Sequence, residues 1–385
     1  MKKNLYIMYA IAFLQGMVFY GPIATLYRQA QGISVFQITV IESISLALCI
    51  LLEIPWGIVA DKIGYKKTMI FCCGLYFISK IIFWQATGFF DFLSERIMLS
   101  IVLAGFSGVD SGIIYLSCKN GNSQKAFGIY NSMGMAGLLI ASLIFSLLIQ
   151  NYYHMAGFLT VVSYGIAAFL SFFLTEVKQK KSNKLCQEPF RVTLRKTLHN
   201  RTLILFLISV AFLSEAHQTI TVFLNQLQYE QCGLNNAAIG VIYIIVTMLG
   251  LLGGYSSAIT KRIGILLSFF LFCVLSILSC LTLAVTQYAL PSVISIMTLR
   301  ISDTMFQPFQ SEIQNRQIKT ANRATALSVN SIIINCVAIG TNLIFGALSE
   351  KSLTLAFLFG SGICTLSLFL LLVWHKKNPY QETNS

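Results

Sequence analysis

Seven ionisable side chains fall inside stretches otherwise apolar enough to lie in lipid: Glu42, Lys80, Asp110, Glu215, His217, Arg300 and Asp303. A charge at mid-bilayer costs several kcal/mol, so such groups face a partner or a hydrated cavity. Asp110 stands between Gly108 and Gly112, whose small size allows close helix contact. Two roles stay open for it: proton carrier, or member of a gating network. Glu215 and His217 place a carboxylate and an imidazole where a proton could be relayed or a substrate bound. The alternative is the wall of a water-filled cavity with no coupling role. Histidine titrates near neutrality, which suits a relay. Arg300 and Asp303 are one helical turn apart and are spaced to neutralise each other, which favours a salt bridge over substrate contact. Lys80 requires a carboxylate partner or an aqueous path, because it is too far from either face to snorkel. Glu42 is read as a cavity residue or part of an outer gate, and Glu53 as part of a gate framework.

The same residues speak against an enzyme. His154, His199, His217 and His375 lie on separate segments without ligand spacing, and no nucleotide-binding glycine loop is present. Neither a metal nor a cofactor is expected. The 10 cysteines are scattered without a CxxC pair, and they read as buried thiols rather than redox or metal chemistry.

The elements that hold these charges are set by composition. Of the 385 residues, 56% are hydrophobic and 11% charged, and the mean hydropathy is +0.73. A soluble domain has about a quarter of its residues charged. The apolar residues come in runs of about 20, the length that crosses hydrocarbon as a helix. Helix is the element type expected, since lipid offers no partner to open backbone groups. Breaks between runs predict twelve spans, near 5–26, 35–60, 67–89, 95–118, 126–150, 155–175, 201–225, 235–258, 264–285, 289–313, 324–348 and 353–374. The first is expected to be a span rather than a signal peptide, because it lacks a small-residue cleavage site.

With the N-terminus inside, the cytoplasmic segments carry 22 of the 27 basic residues. That bias predicts both termini in the cytoplasm. It accounts for the net charge of +13 by topology, so no nucleic-acid partner is expected. The basic stretch over 176–201 reads as a linker held at anionic lipid. Weak repetition supports two halves: Ala12-Phe13-Leu14 recurs as Ala211-Phe212-Leu213, and DKIG at 61–64 as KRIG at 261–264. The expected fold is therefore an all-α membrane protein of twelve transmembrane helices in two pseudo-symmetric six-helix bundles. Its parts would be an N-terminal bundle over 1–175, a basic cytoplasmic linker over 176–200, a C-terminal bundle over 201–374 and a short cytoplasmic tail over 375–385.

One run carries more specific information. Gly57, Asp61, Gly64, Lys66 and Lys67 form GxxxDxxGxKK at the cytoplasmic end of the second span, with Lys62 inside it. Gly57 admits a neighbouring helix, and Gly64 permits a turn that a side chain would obstruct. Asp61 can meet a helix N-terminus or a basic side chain. The run resembles the signature loop of the Major Facilitator Superfamily. LLEIPWGIVADKIGYKK (51–67), PIATLYRQAQGIS (22–34), SGVDSGIIYLS (107–117) and NRATALSVNS (322–331) look like a bacterial twelve-helix branch with an EIPxG element.

The resemblance implies secondary transport by alternating access, with the motif loop as a cytoplasmic gate. Two departures narrow this. Tyr115 is followed by Leu116 where branch members often carry Asp, and GIYNSMGMAG (128–137) lacks the proline of the antiporter motif. The expected function is proton-coupled efflux of a drug-like or amphipathic small molecule across the cytoplasmic membrane by a monomer. A nutrient importer of the same fold is the alternative. A non-transporting receptor is less favoured, because only HKKNPYQETNS follows the last span.

Overall fold

The computed structural model describes residues 2–106, 109–118, 123–177, 190–317 and 323–377. Among the described residues there are helices and no strand. Two compact units emerge, one of residues 1–182 with 235–244, the other of 183–234 with 245–385.

The first unit contains α1 (Lys2–Gly16), α2 (Ala24–Ala30), α3 (Val35–Ile63), α4 (Tyr65–Gln85), α5 (Phe89–Phe106), α6 (Val109–Ser117), α7 (Ser123–Ile144) and α8 (Tyr153–Ser171). Between α1 and α2 the chain tightens into one 3-10 turn at Gly21–Ile23. Pro22 fits there, because its missing N–H falls where a helix start leaves donors unpaired anyway. The second unit contains α9 (Phe190–His199), α10 (Arg201–Thr219), α11 (Asn225–Gln231), the C-terminal end of α12 (Asn236–Leu249), whose larger part belongs to the first unit, α13 (Ser256–Ile263), α14 (Ile265–Val285), α15 (Ala289–Gln317), α16 (Arg323–Lys351) and α17 (Leu353–Lys377). A π-helical segment, Ile220–Leu224, carries α10 into α11. A glycine-rich 3-10 segment, Gly250–Tyr255, carries α12 into α13.

Eleven of the resulting helical stretches, among the described residues, are long and apolar enough to cross a membrane. The tenth expected span corresponds to α15, which is not one of them. Its interior holds Arg300 and Asp303 together with several serines and threonines, which dilute its hydropathy.

Packing follows the logic of lipid rather than water. On α8 the exposed side chains include Met155, Phe158, Val162, Ile166 and Phe169, whereas Thr160, Ser163, Ala167 and Ser171 are buried. Small residues let helix backbones approach, and large apolar ones meet acyl chains. The buried hydroxyls stay satisfied on their own helix: Thr160 Oγ1 donates to the Ala156 carbonyl at 2.9 Å and Ser171 Oγ to that of Ala168 at 2.6 Å.

In the first unit α1 packs on α7, and α4 lies between α5 and α8. In the second, α10 packs on α16, and α14 lies between α15 and α17. These are the same pairings shifted by half the chain. Asn4 ties the two ends of the first unit together, its Nδ2 donating to the Thr175 carbonyl at 2.9 Å and its Oδ1 accepting from the Thr175 hydroxyl at 2.8 Å.

Candidate functional site

Five of the seven expected intramembrane charges fall into two clusters, one within each unit: Glu42 and Lys80 in the first, His217, Arg300 and Asp303 in the second. In the first unit α4 presents Lys80, whose Nζ donates to Glu95 Oε1 on α5 at 2.8 Å. Both side chains are almost wholly buried, at 5% and 1% exposure. The neighbouring residue on α5, Arg96, donates through Nη2 to Glu42 Oε2 on α3. Lys80 and Glu42 are thus both partnered, each by a residue of α5.

Aromatic rings enclose the ammonium of Lys80. Tyr76, Phe83, Tyr164 and Tyr20 have ring centroids 5.3, 5.8, 5.8 and 5.9 Å from Nζ. Tyr20 stacks on Phe83 at 4.0 Å. Arg28, at the end of α2, lies over the rings of Phe83 and Phe92 at 5.6 and 6.0 Å. Rings placed this way attract a cation through their quadrupole.

The second unit brings together His217, Arg300 and Asp303. His217 Nδ1 is 3.5 Å from Asp303 Oδ1, and Arg300 Nη1 is 3.6 Å from Asp303 Oδ2. Each oxygen of the carboxylate therefore faces a different cationic or basic nitrogen. His217 Nε2 is 2.7 Å from Ser276 Oγ. Ser276 already donates to the Phe272 carbonyl at 2.7 Å. With that hydroxyl proton so placed, Ser276 Oγ can accept from Nε2–H, and Nδ1 faces Asp303. Nδ1 makes no well-aligned hydrogen bond, although the whole residue is buried. Arg300 rests on the backbone of the 3-10 segment: a Cβ on Gly250 would meet its Nη2 at 3.0 Å.

Glu215 and His217 are two residues apart on α10, so they face different neighbours. Glu215 Oε1 accepts from the Thr219 hydroxyl at 2.8 Å, and that hydroxyl lies 3.2 Å from Asn342 Oδ1 on α16. In the first unit Asp110 lies on α6, where its Oδ1 accepts from the Ser111 backbone N–H at 2.6 Å. Tyr65 of α4 covers this helix, since a Cβ on Gly112 would lie 2.6 Å from its ring.

The motif run is described in part. Gly57, Asp61 and Lys62 fall on the last turns of α3, but the side chains over 53–62 lie outside the described residues. Gly64 makes the turn into α4 with φ +97° and ψ 151°, a region essentially reserved for glycine. Lys66 is half-buried and Lys67 exposed. The Lys66 backbone N–H donates to Glu176 Oε1 at 3.3 Å. Thr68 Oγ1 returns to the Gly64 carbonyl at 2.9 Å. The second unit repeats the turn at Gly264, with φ +82°, and Ser268 Oγ donates to the Gly264 carbonyl at 2.7 Å.

Sequence reading did not single out Glu95, Ser276 or Glu176. Glu95 carries a signal in hindsight: it is a carboxylate beside Arg96 near the start of an apolar run. Ser276 carries none, because hydroxyls are common in such helices.

The model of the Major Facilitator Superfamily matches residues 5–339. Among solved structures, a variant of the nucleoside transporter NupG is similar with a TM-score of 0.83 at 16% identity, over 96% of this chain and 99% of that one. A POT family transporter in complex with 5-aminolevulinic acid gives 0.74 at 16% identity, over 97% and 96%. A bacterial homologue of the human lysosomal transporter Spinster, inward-facing and unoccupied, gives 0.72 at 14% identity, over 96% and 94%. At these identities the likeness is one of fold. No curated protein matches the sequence.

Proposed function

The chain belongs to the Major Facilitator Superfamily, and from that membership we propose that it exports a small amphipathic compound across the cytoplasmic membrane in exchange for protons. It would work as a monomer by alternating access of two six-helix halves, with α15 as the twelfth span and both termini in the cytoplasm. The turn built on Gly57, Asp61, Lys62, Gly64, Lys66 and Lys67 would be the cytoplasmic gate, with Asp110 beside it on α6.

The observation that supports proton coupling is the buried His217, whose Nδ1 stands 3.5 Å from Asp303. With Nδ1 protonated, Asp303 lies between two cations. With it deprotonated, Arg300 alone neutralises the carboxylate. Proton occupancy thereby decides how strongly α10 and α15 attract one another, which is the kind of two-state contact that a transport cycle can use. Glu215, one helical turn from Thr219 on the same helix, is a further candidate for proton or substrate contact.

Everted vesicles loaded with acid test this reading with a panel of amphipathic compounds. Accumulation of at least one compound is expected, with collapse when a protonophore dissipates the gradient. His217→Gln and Asp303→Asn should each lower gradient-driven accumulation at least tenfold, about 1.4 kcal/mol, while gradient-free exchange of the same compound persists. Accumulation that ignores the protonophore would sink the coupling, and uptake only in the opposite orientation would reverse the direction.

A further inference from the structure

We propose that the charge cluster of the first unit is a binding site for a singly charged organic anion, a carboxylate on an apolar body, with Arg28 as its principal contact. The proposal rests on the reading of the chain as a transporter and names the class of its cargo.

Three cations, Arg28, Lys80 and Arg96, share this buried region with two carboxylates, Glu42 and Glu95. Both carboxylates are engaged: Glu95 Oε1 takes Lys80 and Glu42 Oε2 takes Arg96. Arg28 is the surplus. It is 7% exposed, and among the described residues no carboxylate lies within salt-bridge distance of it. It belongs to the same cluster as Lys80, because both cations lie over the ring of Phe83, at 5.6 and 5.8 Å from its centroid.

Glu95 is near enough to feel the charge of Arg28, but it is already paired with Lys80; a buried guanidinium that only shares a counter-ion is disfavoured, and its rings recover only part of the lost hydration. Arg28 Nε and Arg96 Nε are buried donors without hydrogen-bond partners. Two idle guanidinium donors and one uncompensated positive charge are what a carboxylate satisfies. The surplus is a single charge, so a dianion would overshoot it. Glu95 Oε2, also without a hydrogen bond, would repel the second charge. The surroundings of the guanidinium are aromatic, with Phe83 packed between Tyr20 and Phe92, which suits a carboxylate carried on an apolar body rather than on a polar one.

The test uses the full-length protein in phosphatidylcholine nanodiscs, without any gradient, and titrates matched acid–amide pairs: hydrocinnamate, naphthoate and decanoate, each against its amide. At least one acid should bind tenfold or more tighter than its amide. Arg28→Gln should abolish that preference, and Arg28→Lys should restore part of it. Glu42→Gln, which releases Arg96, should tighten the acid and leave the amide unchanged. This last variant decides the matter should Arg28→Gln fail to fold.

Equal binding of acids and amides, binding of no acid, or a preference that survives Arg28→Gln would overturn the proposal. So would loss of acid binding on adding phosphatidylglycerol, which would make the occupant a lipid headgroup. Because no gradient is present, failure of proton coupling leaves this result standing, and failure here leaves the coupling test untouched.

Discussion

Glu95 is the residue on which the first unit's electrostatics turn, since it holds the ammonium of Lys80 at 2.8 Å with 1% of its side chain exposed. Removing one member of such a pair leaves an uncompensated buried charge, at a cost of about 3–5 kcal/mol. Glu95→Gln should therefore lower the thermal unfolding midpoint in detergent by several degrees. The double variant Glu95→Leu with Lys80→Met removes both charges and should be less destabilised than Glu95→Gln alone. A double variant that is worse than the single one would show that the pair itself stabilises the fold. At this scale the sequence was legible in one direction only. An intramembrane lysine asks for a carboxylate partner or an aqueous path, and Glu95 is the partner found beside Lys80. Which carboxylate meets it depends on which helices touch, and a linear pattern of apolar runs does not encode helix neighbours. The same gap explains why Glu215 and His217, two residues apart in sequence, meet different partners, Thr219 on their own helix and Ser276 on α14, while His217 and Asp303, far apart in sequence, converge.

Helix contacts make sharper demands on small residues than on charged ones. A Cβ on Gly137 of α7 would stand 2.0 Å from the Phe13 carbonyl oxygen of α1, and one on Gly16 would stand 2.1 Å from that of Gly134. These backbones touch, so Gly137→Ala must push α1 and α7 apart. The overpacking is worth about 1–3 kcal/mol. Gly74→Ala on α4 meets nothing within 4 Å and should leave the unfolding midpoint unchanged, which separates contact from any general effect of losing glycine. The run at 128–137 was read as small residues without the antiporter proline, and the contact explains the small residues without invoking that motif.

The two turns at Gly64 and Gly264 allow a paired prediction. Alanine at either incurs about 1–3 kcal/mol of backbone strain. Only at Gly64 would the new Cβ also crowd a carboxylate, Glu176, at 3.0 Å. Gly64→Ala should thus destabilise more than Gly264→Ala, measured by thermal unfolding of the two purified variants. The repeat of DKIG as KRIG was legible at this scale because the backbone, rather than the flanking charges, fixes the glycine.

At the scale of the whole chain, the count of crossings rests on α15. Among the described residues, composition picks out eleven helices readily, because an apolar run of sufficient length is a local property. It is weakest where function places charge, and α15 carries Arg300, Asp303, Glu312 and Arg316. Its length permits a crossing: 29 residues at about 1.5 Å per residue exceed the roughly 30 Å of hydrocarbon. Its charges are also managed. Asp303 lies between His217 and Arg300, and Arg316 pairs with Glu312 at 2.6 Å toward the helix end. A helix so neutralised can span despite its hydropathy. Single cysteines replacing Tyr288, just before α15, and Arg316, in its last turn, test this in a cysteine-free background. Both positions are exposed. A membrane-impermeant thiol reagent applied to intact cells should label Tyr288→Cys and spare Arg316→Cys, with the reverse in everted vesicles. Labelling of both from the same side would remove α15 from the membrane and, with it, the cytoplasmic placement of the C-terminus, since eleven crossings cannot return the chain to the side on which it began.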